Sequence, residues 1–207
     1  MLKHITTIDL KILSLFVRDY TATFSIREIT TKLKINYSNT YKRVMELVNE
    51  GILVIKKVGQ VNHVSFNIHS IGAVQMLSLV EEQESKNLKY SVLRSLADEA
   101  VGIDPYACIG LFGSRVSGKA TKQSDWDVFI ITEKRKDMEK IMSKFPFVKD
   151  IQLQVFTRGE FEDSLLSKEE TVVKHIVRNK LIIYNPYPFY NIVLNWEKII
   201  YVPSQTS

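Results

Sequence analysis

Apolar residues first recur at helical spacing in Leu10, Leu13, Phe16 and Val17, behind Asp9, an acid suited to capping the first turn. Ser25-Ile26-Arg27-Glu28 then spells a capping box, in which the serine hydroxyl accepts an orphan amide proton and the glutamate reaches back. It opens a short helix with Ile26, Ile29 and Leu33 facing inward. Asn36-Tyr37-Ser38 reads as a turn, with Ser38 capping a third helix that Gly51 ends. Its inward row is Tyr41, Val44, Leu47 and Val48, and its outward face carries Asn39, Thr40, Lys42, Arg43 and Glu46. The period then drops to two. Ile52 to Ile55, a turn around Gly59, and Val61 to Ile68 with Val64, Phe66 and Ile68 alternating predict a hairpin.

Ile71, Val74, Leu77 and Val80 return to helical spacing. After a polar run from Glu81 to Asn87, the pattern resumes at Leu88, Val92, Leu93, Leu96 and Ala100. This is one long helix or two joined end to end, closed by Gly102 and Asp104-Pro105. Ala107 to Phe112 and Val128 to Ile131 are apolar enough for central strands, and Glu133 to Ser143 reads as a charged helix. From Lys149 to Phe156 the residues alternate, with Asp150, Gln152 and Gln154 on one face and Ile151, Leu153 and Val155 on the other. A helix opens at Arg158, another runs from Lys168 to Val177, and Leu181 to Tyr184 forms a last strand stopped by Asn185-Pro186. Tyr187, Phe189 and Tyr190 follow; such aromatics more often complete a core than stack on a base. The pattern divides the chain into residues 1–68, a connector over 69–103 and a second domain over 104–207, an α+β protein.

The chemistry concentrates between the two central strands. Gly113 allows a sharp turn after the first, and amides beyond it can face phosphate oxygens. Ser124-Asp125-Trp126-Asp127 enters the second. Two carboxylates two residues apart on a strand share a face, and hard oxygen ligands of this kind suit magnesium. Trp126, between them, points the other way. A phosphate-binding P-loop is excluded, because the residue after Lys119 is Ala120 instead of a Ser or Thr. Strand, Gly113-Ser114, Gly118, Ser124-Asp125-x-Asp127 and strand together resemble the signature of the polymerase-β-type nucleotidyltransferases, most closely the small minimal members, over about residues 90–195.

The resemblance implies a mixed sheet flanked by helices. Gly113 and Ser114 match the turn that holds the triphosphate, and Asp125 and Asp127 match the paired metal carboxylates. Ser124 caps the loop and orients Asp125, while Arg115 and Lys122 flank the phosphates or are simply solvated. The implied reaction is nucleotidyl transfer from an NTP, ATP first among them, assisted by two magnesium ions. Family members complete the site with a third carboxylate on a later strand. Here Gln152 and Gln154 hold the central positions, and a carboxamide is a poor magnesium ligand and no base. Asp150 is the remaining acid on that face, either catalytic or a turn residue. Two ions are expected of an active site and one of a degenerate site that senses nucleotide or dimerises.

Three helices and a hairpin in residues 1–68 resemble the winged helix-turn-helix family, which implies double-stranded DNA as partner. On that resemblance the third helix enters the major groove with Asn39, Thr40, Lys42 and Arg43, and Lys56 and Lys57 on the wing meet phosphates. A protein-binding winged helix is the alternative. Charge favours DNA: ten Lys/Arg and five Asp/Glu lie in residues 1–68, and the other 18 basic and 18 acidic residues balance. A homodimer on paired half-sites and a toxin partner are further possibilities. The single Cys108 sits in an apolar strand, and four scattered histidines make no zinc constellation. No apolar run approaches the ~20 residues of a membrane span, and Lys11 and Arg18 interrupt any signal-peptide pattern. A cytoplasmic protein is expected.

Overall fold

A computed structural model describes residues 5–17, 19–86 and 90–200; Arg18 and Leu88 lie outside them. The chain forms two compact units, Met1–Val80 and Glu81–Ser207.

The first unit contains α1 (Thr7–Val17), β1 (Thr23–Ser25), α2 (Ile26–Leu33), α3 (Tyr37–Asn49), β2 (Leu53–Val58) and β3 (Val61–Phe66). The strands form an antiparallel sheet in the order β1-β3-β2. Its core gathers Ile12, Leu13, Phe16, Ile29, Val44, Leu47, Leu53 and Val64, all buried. The expected capping box closes on α2, where Ser25 Oγ accepts the Glu28 amide and Glu28 Oε2 accepts the Ser25 amide at 2.7 Å. β1 has no counterpart in the sequence pattern, because three residues are too few for an alternation to register.

The phase of α3 corrects the sequence reading. Asn36, not Ser38, caps the helix, its side chain accepting the Asn39 amide at 2.8 Å. The inward row is Thr40, Val44 and Leu47; Thr40 is fully buried and Tyr41 is exposed. Thr40 can be buried because its hydroxyl donates to the Asn36 carbonyl at 3.0 Å, leaving only a methyl to pack. Arg43 also turns inward. Its Nε donates to Asp9 Oδ1 at 2.7 Å, and its terminal nitrogens reach Asp9 Oδ2 and Glu46. The Asp9 hydrogen bond holds the guanidinium above its ordinary pKa. Asp9 itself is fully buried in α1 and also accepts the Thr6 amide and hydroxyl, so it anchors a contact between helices.

The connector is two helices, α4 (Ile71–Ser85) and α5 (Ser91–Ile103). The division between the units falls within α4, after Val80. The second unit continues with β4 (Cys108–Phe112), α6 (Gly113–Val116), β5 (Trp126–Ile131), α7 (Arg135–Met138), a 3-10 turn at Ile141–Lys144 and β6 (Ile151–Phe156). It ends with α8 (Arg158–Leu166), α9 (Val172–Arg178), β7 (Lys180–Tyr184) and α10 (Pro186–Ile200). The sheet is mixed, in the order β6-β5-β4-β7, with β4 antiparallel to both neighbours and β5 parallel to β6. The expected charged helix over 133–143 is instead one turn of α7 and the 3-10 turn, with Met138 and Ile141 its buried residues.

Alternation along the strands separates two layers. Ile109, Leu111, Val128, Ile130 and Val155 pack with Leu93, Leu96 and Ala100 of α5. On the opposite face Phe129 meets Phe189 of α10, which in turn meets Phe161 of α8, each pair of ring centroids 5.9 Å apart. Phe189 and Tyr190 are thus core residues, while Tyr187 is exposed. α10 itself escapes the sequence pattern because Pro186 and Pro188 look like breakers. Both fall in the first turn, where the missing amide hydrogen costs no helical bond.

Glu81, the first residue of the polar run, is fully buried with Lys180 at 3.1 Å. Its carboxylate also accepts the Ile182 amide at 2.8 Å and the Tyr190 hydroxyl. Burial pushes the neighbouring Cys108 thiol pKa up, and the Glu81 charge adds to it. No helix among the described residues is long and apolar enough to cross a membrane.

Arg43→Ala should lower the stability of the first unit by about 3 kcal/mol, because it leaves the Asp9 carboxylate buried without its guanidinium. Lys42→Ala, on the exposed face of the same helix, should change it by less than about 0.5 kcal/mol. Urea melts of the full-length variants measure both.

Candidate functional site

β4 ends at Phe112, and Gly113 turns the chain with φ +76°, a left-handed conformation that favours glycine. A second constraint acts at the same residue. A Cβ on Gly113 would lie 2.0 Å from Asp127 Oδ2, so the Asp127 carboxylate occupies the space a side chain would need. β5 delivers Asp127 to that place. Its Cα pairs with Phe112 on the antiparallel side and with Gln152 on the parallel side.

Asp125 corrects the expectation that both acids lie on one strand, because β5 begins at Trp126. The two carboxylates still come together. Gln152 Nε2 donates to Asp125 Oδ2 at 2.7 Å, and the same Gln152 is the strand neighbour of Asp127. Burial raises the Asp127 carboxyl pKa, and the Asp125 charge raises it further.

Trp126 faces the other layer and anchors this entry to β5. It stacks on Tyr90, ring centroids 4.9 Å apart, and its amide donates to the Asp150 carbonyl at 2.7 Å. Arg115 lies 4.5 Å above the indole, and its Nε donates to the Ser124 and Asp125 carbonyls at 2.9 and 3.2 Å. Arg115, a candidate phosphate residue from the sequence, here clamps the backbone that carries Asp125. Ser124 Oγ accepts the Thr121 amide at 2.9 Å and closes the preceding turn, and Lys122 sits exposed in that turn. Ser114 is the second residue of α6, and its carbonyl accepts the Lys119 amide at 3.0 Å.

Asp150 departs from the predicted alternation. It precedes β6, and its carboxylate accepts the Tyr90 hydroxyl at 2.7 Å, on the Trp126 side of β5. That hydrogen bond raises the Tyr90 pKa. The acid is therefore drawn into the stack behind the carboxylate pair, and the face beside Asp127 shows Gln152 and Gln154, both exposed. Asn179 is an addition with no sequence signal: it lies 66 positions from Gly113 and donates to its carbonyl at 3.4 Å.

The donor set decides which ion fits. Among the described residues no group of three or more His, Cys, Asp or Glu side chains is placed to hold a metal. Magnesium commonly takes one or two carboxylates and completes its shell with water and substrate phosphates. Asp125 and Asp127 fit one such ion arriving with a triphosphate. They do not fit two, because Gln152 offers a neutral amide where a second ion needs an anionic oxygen. In the first unit Asn39, Lys42, Lys56 and Lys57 are exposed, whereas Thr40 is buried and Arg43 is bound to Asp9.

Gly113→Ala should displace the Asp127 carboxylate and lower the melting temperature, at a cost of about 1–2 kcal/mol from the left-handed backbone alone, which a thermal melt of the variant measures. In the metal-free protein, a carbon-detected NMR titration should place the Asp127 carboxyl above the usual aspartate range, and Asp125→Asn should bring it down. A raised folded-state pKa means that ionising Asp127 opposes folding. That residue's contribution to stability is complete below the ordinary aspartate pKa and is lost as pH rises through the raised value.

No curated protein and no solved structure matches the chain. Residues 104–187 match the family model described as "Polymerase beta, Nucleotidyltransferase", so the segment from Asp104 to Tyr187, which carries the Gly113 turn, Asp125, Asp127 and β6, is similar to the nucleotidyltransferase domains of that family.

Proposed function

We propose that the second unit binds a magnesium–nucleoside triphosphate, ATP first among them, and transfers its nucleotidyl group to a hydroxyl of a protein or small-molecule acceptor. The observation that carries this reading is the Asp127 carboxylate seated in the space left by Gly113. It brings a metal-ligating acid against the turn expected to hold the triphosphate. The acceptor oxygen forms a bond to the α-phosphorus, the bond from that phosphorus to the bridging oxygen breaks, and pyrophosphate leaves. The hydroxyl proton passes to solvent or to a carboxylate of the pair. Magnesium, when bound, neutralises triphosphate charge. Asp125 and Asp127 would hold it, Gly113 and Ser114 would hold the phosphates, and Arg115 with Trp126 would keep Asp125 in position. Residues 1–68 act as a winged helix-turn-helix that carries the protein to duplex DNA in the cytoplasm; their excess positive charge supports this.

One observation favours a second reading. Gln152 already donates to Asp125, and among the described residues no third carboxylate joins the pair. A site with one ion and no added base favours nucleotide binding over turnover, as in a DNA-bound regulator that senses nucleotide.

Incubation with magnesium and NTP labelled at the α-phosphate, alone and with cell extract, separates the two. Label transferred covalently and lost in Asp127→Asn supports the transferase. Label bound but never transferred supports the sensor, and Gln152→Asp should then raise divalent-ion binding at least about tenfold and bring transfer above background.

A further inference from the structure

The winged-helix resemblance implies that the third helix presents Asn39, Thr40, Lys42 and Arg43 to DNA. The structure removes two of the four. Thr40 is buried under its own helix's bond to Asn36, and Arg43 is committed to Asp9 and Glu46. Arginine is the commonest reader of guanine, through paired bonds to its major-groove edge. Withdrawing Arg43 takes that chemistry off the helix.

The one-residue change of phase brings something else to the surface. Tyr37 is 50% exposed and Tyr41 is 44% exposed, one turn apart on the N-terminal half of α3. Their rings are stacked, with centroids 6.2 Å apart and planes inclined by 27°. Ser38 and Lys42 are exposed on the outward face next to them, and Asn39, also exposed, lies on its other flank. In helix-turn-helix docking it is the N-terminal part of the third helix that meets base edges.

We propose that Tyr37 and Tyr41 form the base-reading surface of α3 and that it selects A·T pairs of duplex DNA. The proposal rests on the DNA-binding reading above. Apolar ring edges complement the thymine methyl group, which no other base presents in the major groove. Two rings 6.2 Å apart span roughly two base steps of about 3.4 Å. Duplex DNA is the occupant because this unit carries the chain's excess positive charge, with Lys42, Lys56 and Lys57 exposed to meet phosphates. The aromatics then supply sequence preference and the lysines supply attraction.

The test uses the full-length protein and selection from a random duplex pool, followed by titration of the enriched site and of an unselected duplex at several salt concentrations. Enrichment of A·T-rich half-sites is expected. The double variant Tyr37→Ala/Tyr41→Ala should lose at least about tenfold in affinity for the enriched site, with binding to unselected duplex and the salt slope unchanged. Tyr37→Phe/Tyr41→Phe keeps both rings and should keep the preference. Lys42→Ala should weaken both duplexes alike and reduce the salt slope by about one. Selection of G·C sites, or an alanine variant that binds the enriched site as the parent does, overturns the proposal while leaving DNA binding intact. A parent protein that binds no duplex at low salt overturns the DNA reading and the proposal with it. Loss of self-association in the alanine variant with undiminished site preference assigns the ring pair to a contact between copies and likewise overturns it.

Discussion

The candidate site depends on a vacancy in covalent structure: Gly113 has no Cβ, and the Asp127 carboxylate takes the room. The same residue holds a left-handed φ that turns the chain out of β4. One substitution would therefore have to violate backbone preference and displace the acid together. That coincidence binds the Gly113 turn and the Asp127 carboxylate into one unit, since neither can move without the other. It also raises the Asp127 pKa, because a carboxyl packed against backbone loses solvent and lies near a second acid. Such an environment favours a counter-ion.

Behind this contact lies a layered support. Arg115, Trp126, Tyr90 and Asp150 are joined by a cation–π contact, a ring stack and a hydrogen bond. They fix the start of β5, where one residue's difference in backbone direction would send both aspartates elsewhere. Two groups that look chemically active in the sequence, Arg115 and Asp150, are thus drawn into positioning. The consequence for chemistry is a site of two acids and an amide. Gln152 satisfies Asp125 by donating a hydrogen bond that an ionised third carboxylate could not, and it offers a neutral amide instead of an anionic oxygen beside the pair.

Charge placement is governed in both units by burial and pairing. Asp9 with Arg43 and Glu81 with Lys180 are acids set deep in the structure against cations from distant positions in the chain. Removing a partner from such a pair is costlier than the pair is stabilising. These residues are therefore parts of the scaffold, and the surface available to partners is what remains after they are subtracted. For α3 that remainder is an aromatic pair with Asn39 and Lys42.

The amino-acid sequence alone determined where most elements lie, since spacing, capping boxes and glycine turns are local features that act within a few residues. It also determined the motif around Gly113 and the two aspartates, because that motif is a contiguous run of residues, and the glutamines of β6, because side-chain alternation on a strand needs no partner to be read. What it left open were choices made by partners far away in the chain. Whether Tyr41 or Thr40 faces the core depends on which side chain can satisfy its polar atom there. Whether Arg43 reaches outward depends on an acid 34 positions earlier. Asp150 turns to Tyr90, and Glu81 to Lys180, because a buried carboxylate requires a donor, and only the folded chain brings one to it.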